Sequence, residues 1–243
     1  MLSQLLEGPE SLSRLCERLR VSPSNVIPHL KELEYYSLVA KDNGKYHLTS
    51  SGLILAKKIQ MAENLNVLLK THGQFFNEHD IMGIPEDLLW RIDELRCCKL
   101  IENNVENTAA TYNIIFDNLV EPKYVVGISP IFNPKYPGFF LSIVRQKTPV
   151  SIILTKWIFE KVKNEYSSAL QTYLGLDNAK LYVIDDARVA LVVSDTFFAL
   201  ALPLRDGQFD IYSCLASSEE SALGWGLDLF EYYRQKSNEV RGL

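Results

Sequence analysis

The spacing of hydrophobic positions predicts two consecutive helices in the first part of the chain. Apolar side chains recur at helical intervals on either side of the turn 20–22, at Leu12, Leu15, Cys16 and Leu19 and then at Val26, Leu30 and Leu33. Ser22 stands at the N-cap of the second helix, and Pro23 takes its first position, where no N–H is needed. Pro28 is expected to bend or loosen that helix near its start. The pattern predicts helix, tight turn and helix.

A hairpin and a long helix follow. The extended runs 38–41 and 45–48 flank Asn43-Gly44, a strong hairpin signal. A helix then begins near Ser51 and continues to Phe75 or Phe76, with apolar positions at Leu55, Ile59, Ala62 and Leu69. This near-heptad stripe fits a partner helix, either in a dimer or against a second domain. Ordinary packing within one chain explains it almost as well.

From about residue 78, extended and helical runs alternate. Helices are predicted at 84–96, 107–119, 134–146, 155–174 and 219–236, and strands at 98–101, 124–128, 150–154, 180–184, 189–193 and 197–204. Continuous apolar strands between helices indicate a buried sheet, mostly parallel, with antiparallel strands where the later connections are short. The predicted fold is an α+β winged helix-turn-helix domain at 1–50, a linker or dimerisation helix at 51–77, and an α/β domain with a mixed, mostly parallel sheet at 78–243.

Composition narrows the class of protein. The 243 residues are 47% apolar and 23% charged, as in an ordinary soluble protein. No apolar run reaches the length of a membrane helix, and the first residues lack the features of a signal peptide. The cysteines at 16, 97, 98 and 214 have no zinc-ligand spacing and need form no disulfides, so a reducing cytoplasm is expected and no metal site.

The charge of the chain is distributed unevenly. The formal net charge is −5, but residues 1–65 carry eight basic and seven acidic side chains, so the acidity belongs to the remainder. Any DNA contact is therefore local rather than a broad basic surface. We expect the second helix to lie in the major groove and the hairpin tip to touch the backbone or the minor groove. The expected DNA-binding residues are Ser22, Ser24, Asn25, His29 and Lys31 on the helix, and Lys41, Asn43 and Lys45 on the hairpin.

Two segments resemble known families. Residues 21–34, with His-Leu-Lys-Glu-Leu-Glu at 29–34, followed by Leu38-Val39 and Tyr46-His47-Leu48-Thr49, resemble the ArsR-like winged helix. Ser37 stands where that family usually has glycine. The runs 127–137, 150–155, 190–207 and 222–233 are similar to archaeal methanogenesis regulators of the FilR type. The resemblance implies an archaeal transcriptional regulator with a sensory domain and no established ligand.

An enzyme is the rival class, and the residue inventory argues against it. The four histidines are His29, His47, His72 and His79, so most of the second domain has none. Ser-His-Asp, Cys-His and His-ligated metal chemistry are therefore excluded there, and the domain is expected to resemble half of a phospholipase D fold without its catalytic residues. No glycine-rich phosphate loop occurs. We expect no catalytic residues and no cofactor, and we interpret Cys97-Cys98 as a helix-to-strand junction rather than a redox pair.

A small-molecule effector pocket is a further hypothesis. Ligands of open α/β sheets bind beyond the carboxyl ends of strands. The candidate lining residues are Ser129, Phe132, Tyr136, Thr155 and Lys156, a set that suits a small anion or an aromatic acid. The alternative is that the prolines at 130, 134 and 137 shape a loop and the aromatic side chains fill the core.

The predicted function is a homodimeric, sequence-specific transcriptional regulator that binds double-stranded DNA and responds to an effector. Two-fold pairing is expected because one helix contacts only a few base pairs. The alternative is a winged-helix module that binds other proteins and scaffolds a complex.

Overall fold

The computed structural model describes residues 1–107 and 109–242, which form two compact units, Met1–Val67 and Leu68–Leu243. Positions 108 and 243, which belong to the predicted helix 107–119 and the predicted domain 78–243, lie outside the described residues. Each unit is built around its own hydrophobic core.

The first unit contains the predicted helices and hairpin. A 3-10 helix, Leu2–Glu7, precedes β1 (Glu10–Ser11), α1 (Leu12–Leu19), α2 (Pro23–Tyr35), β2 (Val39–Asp42) and β3 (Lys45–Leu48). The strands pair antiparallel in the order β1-β3-β2. Leu15, Val26, Leu30 and Tyr46 are buried together, so the helical stripes and one face of the hairpin form the core. The helix α3 (Ser50–Glu78) begins in this unit and ends in the second.

The second unit is a mixed α/β structure. Its helices are α4 (Glu86–Leu89), a 3-10 helix Ile92–Leu95, α5 (Ala110–Asn118), α6 (Tyr136–Arg145), α7 (Lys156–Glu165), α8 (Ser167–Leu174) and α9 (Glu220–Gln235). Its strands are β4 (Lys99–Glu102), β5 (Val125–Ser129), β6 (Val150–Thr155), β7 (Ala179–Ile184), β8 (Ala190–Ser194), β9 (Phe198–Ala201), β10 (Ser213–Ser217) and β11 (Asn238–Glu239). Within the described ranges they form one sheet in the order β11-β7-β6-β5-β8-β9-β10-β4.

The predicted mostly parallel sheet is wrong. Only the pairs β5–β6 and β6–β7 are parallel, and the other neighbours in this sheet, as far as the structure describes it, are antiparallel. Parallel neighbours require a crossover, usually a helix, which here is α6 or the pair α7 and α8. The remaining strands are joined by turns or reach the sheet edges from distant parts of the chain.

Several element boundaries also differ from the prediction. The helix expected at 155–174 is interrupted at Tyr166, whose φ and ψ of −131° and 31° are not helical, and α8 then packs on β7. The helix expected at 84–96 is two short segments. The strand β10 was missed because Ser213-Cys214-Leu215-Ala216-Ser217 lacks the β-branched residues that mark strands.

Alternate residues of the central strands face two different helical layers. Val193 and Phe198 face α9 at Gly226. A Cβ added at Gly226 would lie 2.7 Å from the Phe198 ring, so the glycine allows the helix backbone to approach the sheet closely. Val192 and Ala199, one residue along each strand, face the layer that contains α5 and α6. The sheet is therefore covered on both faces, which explains its apolar strands.

Candidate DNA interface and second-unit cavities

The second helix of the first unit follows a tight turn. Arg20 ends α1 with a φ of 54°, and Ser22 precedes α2 in an extended conformation. The hydroxyl of Ser22 lies 2.8 Å from the Ser24 hydroxyl and makes no cap to a backbone N–H, so its predicted capping bond is absent. Its carbonyl oxygen instead accepts from the N–H groups of Asn25 and Val26, at 3.0 and 3.3 Å. Pro28 lies inside a helix that is continuous from Pro23 to Tyr35.

The predicted contact residues of α2 are all exposed, but they lie on two different sides of the helix. Val26 and Leu30 are buried and define the inner face. At about 100° per residue, Ser24 and Lys31 lie about 140° and about 120° from the middle of that face, both on the same side of the helix. Pro28 and Tyr35 lie on the same outer face, and Tyr35 is 82% exposed. This outer face is therefore less polar than the sequence pattern suggested.

Asn25 and His29 lie on the other side of α2 from Ser24 and Lys31, about 120° and about 80° from the middle of the buried face. Together with Glu32 they line an open groove whose other walls are Met1–Ser3, Ile59 and Glu63. His29 Nδ1 is 4.0 Å from Glu32 Oε2, so the acidic side chain is close to the imidazole. These two residues are therefore less well placed for a groove of DNA than Ser24 and Lys31.

The hairpin has the turn that its sequence predicts. Asn43 and Gly44 have φ values of 49° and 80°, the positive values that a type I′ turn requires. The turn presents Lys41, Asn43 and Lys45 at an exposed tip. Lys41 Nζ lies 5.1 Å from the centre of the Tyr46 ring, and Asn43 Nδ2 donates to Asp42 at 3.2 Å. Two ammonium groups thus lie near the tip, beside one carboxylate.

A tight junction fixes the hairpin to α2 and α3. Ser37 follows α2 with a φ of 55°, and Leu38 N–H donates to the Leu33 carbonyl at 2.8 Å, which is the hydrogen bond of a Schellman motif. The Thr49 hydroxyl donates to the Ser37 carbonyl at 2.6 Å and accepts from Gly52 N–H at 3.0 Å. The sequence signal for this junction was the Leu48-Thr49 pair of the resemblance, and the role of Gly52 was missed.

Two arginines of the first unit are engaged in ion pairs. Arg18 contacts the carboxylates of Glu7 and Glu10, and its pKa is raised chiefly by the hydrogen bond to Glu7. Arg14 is 3.2 Å from Glu17. Within the described residues, no ion pair involves Lys31 or Lys45, so their charges face solvent.

The second unit contains two adjoining cavities of about 70 and about 80 Å³ on the α5–α8 side of the sheet. Five residues line both of them, namely Ser129, Ile131, Tyr136, Phe140 and Ile152. The first cavity continues towards β8, β9 and the segment 210–214, and the second towards α7 and α8. The walls are almost entirely apolar.

The predicted pocket residues are only partly brought together. Ser129 and Tyr136 line both cavities, and Phe132 lines the second. Thr155 is buried just before α7 and lines neither, while the ammonium group of Lys156 lies 3.0 Å from Asp185 at the surface with the side chain 71% exposed. The expected cation is therefore outside the cavities, because the helix that follows β6 turns its first side chain outward.

Two electrostatic features surround the first cavity. Burial raises the pKa of the Tyr136 phenol, and it raises the pKa of the Cys214 thiol to about 12. Asp210 lines the same cavity, and its carboxylate accepts from Ser213 and lies 3.1 Å from His79 Nε2. These residues lie far apart in sequence, so no pattern within one segment could indicate the cluster.

The geometry contains no metal centre in the part of the chain that the structure describes: no group of three or more His, Cys, Asp or Glu side chains could hold an ion. Cys97 is exposed and Cys98 is buried, and both are free thiols. Across residues 1–107 and 109–242, no helix is both long and apolar enough to cross a membrane.

Two family models match this chain. Residues 1–71 match the N-terminal domain of the methanogenesis regulatory protein FilR1, and residues 109–236 match its middle domain. The methanogenesis regulatory protein FilR1 of Methanothrix harundinacea (strain 6Ac) is 25% identical over 222 residues. These cover 89% of this chain and 50% of that protein, so the chain spans half the length of this relative.

Two solved structures are more distant. TrmBL2, an archaeal chromatin protein whose structure shows a novel mode of DNA binding, is 16% identical, with 98% of this chain and 91% of TrmBL2 covered and a TM-score of 0.47. A phosphatidylserine synthase of Haemophilus influenzae Rd KW20 is 12% identical, with 60% and 40% covered and a TM-score of 0.46. Both scores are below 0.5, so neither bears on this chain. The expected likeness to half of a phospholipase D fold is not supported.

The helix, turn, helix and hairpin of the first unit, followed by a mixed α/β unit, define a winged-helix protein with a second domain. The chain belongs to the family of the methanogenesis regulatory protein FilR1, whose middle domain matches more than half of it. It is homologous to a methanogenesis regulatory protein. The finer ArsR-like assignment stays a prediction.

Proposed function

We propose that this protein is a sequence-specific DNA-binding transcriptional regulator. The observation that carries the proposal is the exposed surface formed by the outer face of α2 and the hairpin tip. Ser24 and Lys31 on α2, and Lys41, Asn43 and Lys45 at the tip, are exposed on a unit held together by its own core. A helix of this size fits the major groove, and a lysine-bearing hairpin contacts phosphates. Ser22, Asn25 and His29 complete the proposed contact set from the turn and the flank.

The regulatory role is supported by homology. The relative from Methanothrix harundinacea is a methanogenesis regulatory protein, and this chain matches the models of the N-terminal and middle domains of FilR1. Regulation of transcription by this chain is our inference from that description together with the winged helix.

We further propose that two copies bind DNA together through α3. Ile54, Leu55 and Leu69 on this helix are 67%, 40% and 51% exposed, and positions 55, 62 and 69 recur every seven residues. An apolar stripe with this period packs well against the same stripe of a second helix. Sedimentation of the full chain tests this: a dimer that becomes monomeric on Leu55→Asp, and remains dimeric on the control Lys57→Asp, supports the proposal. A monomer before substitution contradicts it.

The second unit is proposed to respond to an effector, because its cavities lie in an apolar layer that a small molecule could occupy.

Gel-shift titration of the purified chain with duplex DNA from its own upstream region, with random duplex as competitor at two salt concentrations, tests DNA binding. Competitor-resistant binding that weakens steeply with salt supports the proposal. If random duplex competes as well as the specific duplex does, or if the chain does not bind DNA, sequence-specific recognition is contradicted.

A specific observation favours the competing function, a protein-binding module. Ile27, Tyr35 and Tyr36 are 36%, 82% and 62% exposed on or beside α2, and tyrosines are enriched at protein interfaces. If the gel shift fails, substitution of Tyr35 and Tyr36 together should abolish a protein complex while Lys31→Ala leaves it intact. DNA binding would show the reverse order of sensitivity.

A further inference from the structure

The two cavities of the second unit are adjoining parts of one apolar space. Tyr136 and Phe140 of α6 line both, and Ile152 of β6 forms a shared floor. Each cavity alone, at about 70 or 80 Å³, is smaller than the apolar cavity of about 150 Å³ that holds benzene in an engineered protein. A ligand that moves the Tyr136 and Phe140 rings apart would therefore occupy a space large enough for one aromatic ring.

The charges on the walls restrict the ligand. Asp210 is the one charged residue among the described side chains that line either cavity, and its carboxylate is already engaged by Ser213 and His79. No lysine, arginine or histidine of the described chain lines them. An anion would lose its hydration without gaining a cation, and it would lie near the Asp210 carboxylate. The walls therefore favour an uncharged molecule.

Two phenol groups of the lining are available for recognition. No described residue forms a hydrogen bond with the hydroxyl of Tyr136 or of Tyr112, and the two ring centroids lie 6.2 Å apart. Tyr136 lines both cavities and Tyr112 only the first, so Tyr136 is the phenol that a ligand occupying the whole space would meet. Ser129 Oγ, by contrast, donates to the Ile131 carbonyl at 2.8 Å. A phenol in an apolar lining without a hydrogen-bond partner is stabilised by a ligand that supplies one.

We propose that the space between α6 and the sheet binds a small, uncharged, mainly apolar molecule of about one aromatic ring, with a single hydrogen-bonding group that pairs with the Tyr136 hydroxyl. This inference rests on the proposed effector-responsive regulator and names the chemical class of the effector. It replaces the small anion or aromatic acid that the sequence suggested, because the cation needed for an acid lies at the surface.

Direct binding to the full chain, in the absence of DNA, tests the inference. Phenol and indole are the uncharged probes, and benzoate is the probe with the same ring size and a negative charge. Isothermal titration should give saturable binding of phenol or indole. Benzoate should bind at least about tenfold more weakly, a ratio that corresponds to a difference of about 1.4 kcal/mol in binding free energy. Binding of benzoate as tight as that of phenol overturns the inference, as does no saturable binding of either uncharged probe up to its solubility limit.

Substitutions then locate the site. Tyr136→Phe removes only the hydroxyl and should weaken phenol binding by roughly 3- to 10-fold, the range expected for one hydrogen bond, while toluene binding is unchanged. Ala201→Leu fills the first cavity and should abolish binding of every probe. The control Tyr232→Phe lies on the opposite helix α9, outside both linings, and should change neither. Unchanged binding in both Tyr136→Phe and Ala201→Leu, with thermal unfolding showing both variants folded, overturns the site.

The proposed function and this inference fail in different ways. Loss of sequence-specific DNA binding with intact phenol binding contradicts the regulator and leaves the ligand site standing. Specific DNA binding without probe binding contradicts the ligand site alone.

Discussion

The imidazole of His79 lies between the carbonyl oxygen of Phe75 and the carboxylate of Asp210. Nδ1 is 2.7 Å from the carbonyl and Nε2 is 3.1 Å from Asp210 Oδ2. Each ring nitrogen is thus within hydrogen-bond distance of an oxygen. The side chains are 2% and 11% exposed. The pair joins the residue that follows α3 to the segment that lines the first cavity.

Because this pair is buried, breaking it from one side should be costly. We expect Asp210→Ala to lower the free energy of unfolding by about 3 kcal/mol, since the imidazole loses its buried partner. Urea unfolding of Asp210→Ala, His79→Ala and the double variant measures the coupling. A coupling energy above about 1 kcal/mol is expected, and additivity within about 0.5 kcal/mol would contradict the pairing.

Gly52 is required by its closeness to Leu38. A Cβ added at Gly52 would lie 1.8 Å from the Leu38 carbonyl oxygen, so the backbone of α3 or of the preceding turn would have to move. We expect Gly52→Ala to lower the free energy of unfolding by at least about 2 kcal/mol, measured by chemical denaturation.

Gly73 in the same helix is the matched control. A Cβ there would meet no atom within 4 Å, so Gly73→Ala should stabilise the chain by up to about 1 kcal/mol through helix propensity alone. Similar effects of the two substitutions would argue against the close approach at Gly52.

Ser37 adopts a backbone conformation that glycine prefers. Its φ of 55° lies in the left-handed region at the end of α2, where an L residue is strained. We expect Ser37→Gly to raise the free energy of unfolding by about 0.5–1 kcal/mol. Ser37→Ala keeps the Cβ and should bring no such gain. A gain from alanine equal to that from glycine would show that strain at this position is not the cause.

The buried thiol of Cys98 predicts a loss of stability at alkaline pH. Burial raises its pKa to about 12 in the folded chain, whereas an unfolded cysteine titrates near about 8.5. Below that lower value both states hold the proton. Above it the unfolded state alone releases the proton, so stability falls by up to about 1.4 kcal/mol per pH unit until the folded thiol titrates.

Cys98→Ala should therefore reduce the slope of unfolding free energy against pH between about 9 and 12. The exposed neighbour provides the control, because Cys97→Ala should leave the slope as it is in the unsubstituted chain. An identical slope in all three proteins would contradict a raised pKa at Cys98.

The proposed DNA contacts predict different effects for different lysines. Lys31→Ala and Lys45→Ala should each weaken binding and reduce the slope of log affinity against log salt by about 0.9, because each removes one phosphate contact. Lys163→Ala, on the exposed surface of α7 in the second unit, is the matched control and should change neither quantity. Slopes that remain equal in all four proteins would exclude these lysines from the interface.

Local chemistry was sufficient to predict much of the first unit. The helical stripes of α1 and α2 and the Asn43-Gly44 turn depend on neighbours within a few residues, so the sequence predicts them directly. The exposure of Lys31 and of the hairpin lysines follows from the same periodicity. The direction in which Asn25 and His29 face could not be predicted, because the groove beside them is completed by Ile59 and Glu63 of α3.

The second unit depended on contacts between distant segments. The apolar runs at 124–128 and 150–154 sufficed to predict buried strands, but not that most pairings in the rest of the sheet would be antiparallel, since strand order is decided by pairings such as β5 with β8. Likewise Tyr136, Asp210 and Cys214 meet only after α6 packs on the sheet that contains β10. Thus the sequence by itself determined most of the elements and the winged helix through local periodicity and turn chemistry. The tertiary structure alone decided the sheet order, the outward position of Lys156 and the lack of a cation in the described lining of the cavities, because each depends on long-range packing.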